Sequence, residues 1–484
     1  MGAADNRYLG FISFAAALPL IEMRCQRNLN IRYDEGELEM SEQYPMSRRS
    51  FLKGVVAVAG GLTAQAMVAA CTPAPAPNAS VAGEAPANQQ PAELSFMTWW
   101  LPPLVIGTAV ENAVNAFNQN HPDIQVQIEP NPGSPDAQLQ KWQTLLAAGN
   151  PPDMTLMRPH YHSAFASRGA FLQIDELLDG AAEVQREDFW PQTLDRLSWN
   201  GKLWGLPAEI WFSFVFLNLD MFKEAGVEFP NDDWTWDDYL NIATQLTSGE
   251  GVNRRFGTSS LDPWWVQMVR AWGGEVLDET ETSCLVDVSP APEAIQWTAD
   301  LINVHKVAPS AENLADQNVS SLFETGRIGM HESANWYLSE AMNKFKGEWG
   351  IAPNPIGPNG RQSIVQGANY AIFKQTNYPD AAWTLMLDMS VGNGQQILLK
   401  ETGIFPTVRT LATLDYLPNY EQRWIDVSLM SAEVARPDHF VPKYVEWSTA
   451  ARKELDEVWV GRKTAKEAAE AMCPVINEIL AAES

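Results

Sequence analysis

Histidine and cysteine are scarce in this chain, six and four among 484 residues. No two cysteines stand in C-x-x-C spacing, which sets aside a zinc ribbon and a thioredoxin-like redox pair. Cys284 and Cys473 could join in an oxidising compartment, but their spacing alone does not decide it. Basic charge is short as well: 33 Lys and Arg face 60 Asp and Glu, a formal net charge of -27. A surface of that sign repels nucleic-acid phosphates and anionic lipid headgroups, so neither is an expected partner. A nucleotide-binding glycine loop and a G-x-S-x-G nucleophile elbow are missing too. The uncharged stretch at residues 54–70 is too short and too rich in Gly and Ala to span a membrane.

Metal chemistry is poorly provided for. HESAN, residues 331–335, begins like the zinc motif H-E-x-x-H, but Asn335 stands where the second histidine belongs. His160 and His162 would share one face of an extended stretch, yet no third ligand accompanies them. Neither a metal nor a cofactor is expected. The carboxylates around the Trp-Thr-Trp turn at residues 234–236 read as helix caps, since Thr235 followed by Asp238 forms a capping box.

What the chain does have begins with length, enough for two or three domains around a large core. It also has 19 tryptophans, all after Cys71. Large rings belong mostly to cores, but such an excess also suits aromatic surfaces that hold a ligand. SRRSFLKG (residues 47–54) places Arg48 and Arg49 before the uncharged stretch, which ends in VAAC at Cys71. A positive start, an apolar run and small residues before a cut are the build of an export signal. The first motif resembles the twin-arginine export signal and the second a bacterial lipobox, which implies lipid attachment at Cys71. Residues 1–45 read poorly as a domain, and translation is expected to begin at Met40 or Met46. Residues 72–92 carry five prolines, seven alanines and no aromatic. They read as a semi-extended tether reaching at most about 70 Å.

From Glu93 onward short apolar strands alternate with helical stretches. ELSFMTWW, DIQVQIEP and PDMTLMR read as strands, and GTAVENAVNAFNQNHP and AQLQKWQTLLAAG as the helices between them. That alternation predicts an α/β layer structure with a mostly parallel sheet.

FNQNHPDIQVQIE, LLAAGNPPDMTLM and FASRGAFLQIDELL together resemble the opening lobe of the family 1 extracellular solute-binding proteins of ABC importers. WNGKLWGLPAEIWFSFVFLNLDMFKEAG resembles that family's next block, and LFETGRIGMHESANW, QGANYAIFKQTNYPDAAW, TGIFPTVRTL and GRKTAKEAAEAMCPVINEIL resemble later ones in the same order. The resemblance runs from about Glu93 to Leu480. It implies an α/β, two-lobe periplasmic-binding-protein fold of type II, with discontinuous lobes joined by hinge strands and a ligand cleft between them. Lobe 1 would comprise residues 93–210 with 366–405, and lobe 2 residues 211–365 with 406–484. Gln366-Gly367 stands where many members carry two glycines.

A neutral sugar shows hydroxyls at its rim and C–H patches on its faces, so it needs aromatic platforms and planar hydrogen-bonding groups. Where the family has its cleft, this chain offers Trp100, Arg158, His160, Tyr161, Glu209, Trp211, Asp262, Trp264, Trp336 and Asn369, with Trp447, Arg452 and Arg409 as further candidates. In each doublet, Trp99-Trp100 and Trp264-Trp265, a strand would turn one ring toward the core. The expected function is capture of a sugar or oligosaccharide, without covalent chemistry, by a monomeric, lipid-anchored receptor that hands it to ABC permease subunits. A receptor of the same fold for a glycerol phosphodiester or a peptide is one alternative. A secreted glycosidase with two carboxylates across a cleft is another.

Overall fold

The computed structural model describes residues 91–315 and 317–482. The twin-arginine pair, the lipobox cysteine Cys71 and most of the tether therefore lie outside the described residues. Among those described, no helix is long and apolar enough to cross a membrane.

In chain order the strands of the two main sheets are β1 (Ala92–Thr98), β2 (Ile124–Pro130), β3 (Met154–Met157), β4 (Leu206–Pro207), β5 (Trp211–Asn218), β6 (Phe256–Thr258), β7 (Ile328–Ala334), β8 (Trp349–Ala352), β9 (Ser363–Gln366), β10 (Asn369–Ile372) and β11 (Ala435–Pro437). The first sheet runs β2-β1-β3-β10-β4. Its β1 pairs in parallel with β2 and β3, while β10 runs antiparallel to β3. Helices Val105–Asn120 and Pro135–Ala147 make the two crossovers. Ser134 accepts a hydrogen bond from the Ala137 amide at the start of the second helix, and a proline at the first helical position sets its φ.

The second sheet runs β11-β9-β5-β7-β6, with β8 also paired to β5. It is mixed: β5 meets β7, β8 and β9 antiparallel, and only β6–β7 and β9–β11 run parallel. The expectation of mostly parallel pairing thus describes β1–β3 only. The reason is connectivity, since β5 takes neighbours from segments more than a hundred residues downstream. Phe212, Phe214, Val215 and Phe216 of β5 are all fully buried, as a central strand covered on both faces requires.

Two short passages join the sheets, with an isolated bridge as a further contact. The chain leaves the first sheet at Pro207 and enters the second at Trp211, then leaves the second at Gln366 and re-enters the first at Asn369. That bridge pairs Ile210 with Phe405. Beyond it, helix Gln422–Val434 packs on β5 and β9, and helices Tyr444–Trp459 and Ala465–Ala481 pack together against helix Ala291–Asn303. Cys284 and Cys473 form a disulfide, with Cα atoms 5.2 Å apart, which ties the turn before helix Ala291–Asn303 to the last helix.

Candidate functional site

The crossing strands touch at Glu209 and Gly367. Gly367 has φ +128°, and a Cβ there would stand 2.4 Å from the Glu209 carbonyl oxygen, so only glycine permits this approach. The amides of Ala208 and Glu209 donate to the Ala368 carbonyl at 3.0 and 3.4 Å. Below the crossing, the buried Arg196 guanidinium donates to the Gly367 carbonyl at 2.6 Å. Burial pushes the Glu209 carboxyl up to about 7, against the opposing pull of the Ala368 amide, Arg196 and Arg158. A carboxyl poised there can present either an acceptor or a donor to a hydroxyl group.

On the second-sheet side of this crossing lies a cavity of about 700 Å³. Six tryptophans line it: Trp211 from the start of β5, Trp264 and Trp265, Trp336, and Trp447 and Trp459. Trp211 and Trp264 meet edge to face with ring centroids 6.4 Å apart. Trp336 keeps 44% of its surface exposed, and the Trp447 indole N–H, though buried, has no hydrogen-bond partner among the described residues. Between the rings stand Asp262, Asp438, Asp456, Arg452 and Gln366, planar groups able to hydrogen-bond in fixed directions. Burial raises the pKa of Asp262, with hydrogen bonding and Arg452 pulling the other way. The Tyr444 hydroxyl donates to Asp438 at 3.2 Å, and its ring packs on Trp447 at 5.2 Å.

The first-sheet side is built differently. Arg158 lies 4.8 Å over the Trp99 ring and donates through Nε to Gln138 at 3.1 Å. His160, 5.8 Å from the Tyr444 ring, is held neutral because burial, and then the Arg158 charge, lower its pKa to about 4. With Trp100, Glu209 and Trp211 these residues frame a small recess of about 130 Å³. A wider opening of about 720 Å³ shares Trp100, Glu209, Trp211 and Trp336. Leu104, Val105, Ile106 and Ile404 line one flank of it, and helix Leu338–Lys344 the other.

The structure thus brings Trp100, Arg158, His160, Glu209, Trp211, Asp262, Trp264, Trp336, Trp447 and Arg452 around three adjoining cavities. Tyr161 and Asn369 sit apart. Tyr161 is packed in an aromatic core beside Trp142 and Phe165, and Asn369 is fully buried in β10, bonded to the His162 ring at 2.9 Å. Arg409 stacks 5.1 Å over Trp190, away from these cavities. Neither tryptophan doublet lies in a strand. Trp99 and Trp100 follow the end of β1, while Trp264 closes a 3-10 turn begun by Asp262-Pro263 and Trp265 opens a helix. Helical spacing lets Trp264 and Trp265 face the same cavity, so the rule of one ring to each face fails there. HESAN is also no helix: residues 331–334 belong to β7, where His331 and Glu332 point to opposite sheet faces. Among the described residues no group of His, Cys, Asp and Glu is placed to hold a metal ion.

Asp438, Tyr444, Asp456 and Trp459 also line the large cavity and were not singled out in the sequence. The available signal was the stripe Tyr444, Trp447, Arg452, Leu455, Trp459 on one helix. Its mixture of rings and charge is unusual for a stripe facing only a core.

A cleft of rings and planar polar groups, set between two α/β lobes joined by short crossing strands, defines a type II solute-binding fold. The chain belongs to the bacterial extracellular solute-binding proteins, whose family profile matches residues 112–423. It is similar to a binding protein of Brucella abortus, 25% identical over 370 residues, covering 74% of this chain and 86% of that one. It is also similar to an arabinooligosaccharide-binding protein of Halalkalibacterium halodurans, 23% identical over 278 residues, covering 55% of this chain and 56% of that one. Among solved structures it superposes on an ABC substrate-binding protein of Listeria monocytogenes in complex with cycloalternan, with TM-score 0.73 and 21% identity, covering 81% of this chain and all of that one.

Proposed function

We propose that this protein captures a sugar or oligosaccharide outside the cytoplasm and delivers it to the permease of an ABC importer. The observation that carries this reading is the cavity of about 700 Å³ whose six tryptophans alternate with carboxylates, a guanidinium and an amide. Flat rings match the C–H faces of a pyranose or furanose, and the planar groups match its hydroxyl rim. Trp211, Trp264, Trp336, Trp447, Asp262 and Arg452 are the proposed ligand contacts on one side, and Trp100, Arg158, His160 and Glu209 those on the other. A ligand reaching both lobes favours their closed arrangement by its differential contacts, and closure is the signal a permease would read. The protein acts without covalent chemistry and as a monomer, exported through its twin-arginine signal and held to the membrane by a lipid on Cys71. The names of the arabinooligosaccharide-binding relative and of the cycloalternan complex support the ligand class.

The test is a titration of the purified protein with maltotriose, arabinotriose and cycloalternan, followed by tryptophan fluorescence. Saturable change with the sugar recovered intact is the expected outcome. Recovery of cleaved sugar would make the protein a glycosidase, and silence across the panel would move the ligand to a non-sugar class.

A further inference from the structure

Asp438 reaches the tryptophan cavity from a segment that is tied down at three of its positions, two of them to one hub and the third to an arginine bonded to that hub. That hub is Glu275, which follows the helix Trp265–Ala271. Its Oε1 accepts from Arg270 Nε at 2.9 Å and faces His439 Nε2 at 3.0 Å, and its Oε2 accepts from Arg436 at 2.7 Å. Arg270 in turn donates to the Pro437 carbonyl at 2.8 Å. Residues 436, 437 and 439 are therefore each anchored, and Asp438 between them is left to face the cavity, where it takes the Tyr444 hydroxyl and the His439 amide. Because Trp264 and Trp265 stand at the start of the helix that carries Arg270, the hub joins two walls of one cavity.

The other ring nitrogen of His439 meets Glu281 at 2.9 Å. Glu281 occupies a turn that holds an unfavourable backbone: its φ is +54°, in the left-handed region that residues other than glycine avoid. Asp278 keeps that turn closed, its carboxylate accepting from the amides of Thr282 at 2.8 Å and Ser283 at 3.0 Å. The next residue, Cys284, is bonded to Cys473. Backbone strain of this kind persists only where the surroundings over-determine it, and it gathers at functional positions.

We infer that Glu275 and Glu281 are positioning residues that act through His439: the doubly protonated ring donates one N–H to each carboxylate and so fixes the segment bearing Asp438, and ligand affinity depends on the charge of one histidine outside the cavity. This rests on the sugar-binding reading above. The charged groups that face the imidazole are Glu275, Glu281, Arg270 and the adjacent Asp438. Burial and Arg270 favour the neutral ring, while Glu275, Glu281 and Asp438 favour the cation and prevail, so the pKa of His439 is raised. Burial alone would raise Glu275 too, but its bonds from His439 and Arg270 and the Arg436 charge hold it well below the usual carboxylate range. With a raised histidine pKa, the stabilisation is complete at acid pH and is lost as pH rises through the folded-state value. A neutral ring can donate from only one nitrogen, so one glutamate is left facing a lone pair.

The experiment measures affinity for whichever of maltotriose, arabinotriose and cycloalternan binds, from pH 6 to 9.5, in the full chain and in Glu281→Gln and His439→Gln. The histidine NMR resonances are followed over the same range. The unsubstituted protein should lose about tenfold in affinity as the His439 resonance titrates, and Glu281→Gln should move both midpoints together to lower pH by about one unit. His439→Gln should bind about tenfold more weakly at pH 6 and lose the pH dependence. A merely structural role would lower the melting temperature without moving the midpoint. An unchanged profile in Glu281→Gln, with sugar still bound, overturns the inference alone. If no sugar binds, the ligand reading falls and takes the inference with it.

Discussion

On the second-sheet side of Trp211, five further tryptophans stand among Asp262, Asp438, Asp456 and Arg452. On the first-sheet side, the wider opening is flanked by Leu104, Val105, Ile106 and Ile404, with Leu104 and Val105 55% and 60% exposed. Rings and planar polar groups can orient a hydroxylated ligand, whereas aliphatic side chains only exclude water from it. The two linings therefore differ in kind: six rings and their planar polar neighbours crowd the second-sheet cavity, while aliphatic side chains edge the wider opening beside Trp100 and Glu209. The scaffolding differs in the same sense. The second-sheet wall is braced by the Glu275 hub and by the Cys284–Cys473 disulfide, while residues 93–210 contain no cysteine at all.

The largest effect should come from removing that brace. Cys284 and Cys473 are 189 residues apart in sequence. Closing so long a loop restricts the unfolded chain by about 5 kcal/mol in the chain-entropy model. The Cys284→Ser/Cys473→Ser variant should melt well below the parent, with early hydrogen exchange in helix Ala465–Ala481 and little change in the first sheet. Uniform exchange across both sheets would mean that the lobes are not separately braced, and the contrast would fail.

Next comes Trp211, the ring common to all three cavities. Trp211→Ala should weaken sugar binding by about 2–4 kcal/mol, a factor of roughly 30 to 1,000, as expected for a central aromatic anchor. Its half-buried place at the strand start, beside the fully buried Phe212, predicts a much smaller loss of stability. Isothermal titration alongside a thermal melt separates the two quantities. If the melting temperature collapses while affinity holds, Trp211 is a core residue and not a ligand platform.

How much of this could be read from the chain depended on distance along it. β1, β2 and β3 with their crossovers were legible because each unit is local, and Leu94, Phe96 and Val126 repeat at the strand period. The pairing of β5 with β7 and β9 was not, because Ser213 opposite Ala334 and Phe212 opposite Val365 join segments whose meeting no local pattern records. The cleft behaved the same way. Glu209 and Trp211 were accessible through the crossing they occupy, and Asp262 and Trp264 through their composition. Tyr161 showed the same residue type at the same kind of position, yet burial beside Trp142 depends on the helix turning that ring inward. Asp438 carries no sequence mark at all, because what aims it is a set of bonds to Glu275 and Arg270, more than 150 residues earlier.

The smallest effect should come from the aliphatic flank. Val105 opens helix Val105–Asn120 and stands largely in solvent, so the parent already leaves most of its surface wet. Val105→Ser removes part of an apolar contact without leaving a buried cavity or an unpaired charge. At about 25 cal/mol per Å² of apolar surface, what a ligand could cover there contributes under about 1 kcal/mol, or no more than a few-fold in affinity. Serine also suits the first turn of a helix, so the helix itself should hold. A loss above tenfold for a plain oligosaccharide would mean that this flank grips the ligand directly. The aliphatic flank would then belong to the contact surface together with the ring-lined cavity, and the contrast drawn from the two linings would fail.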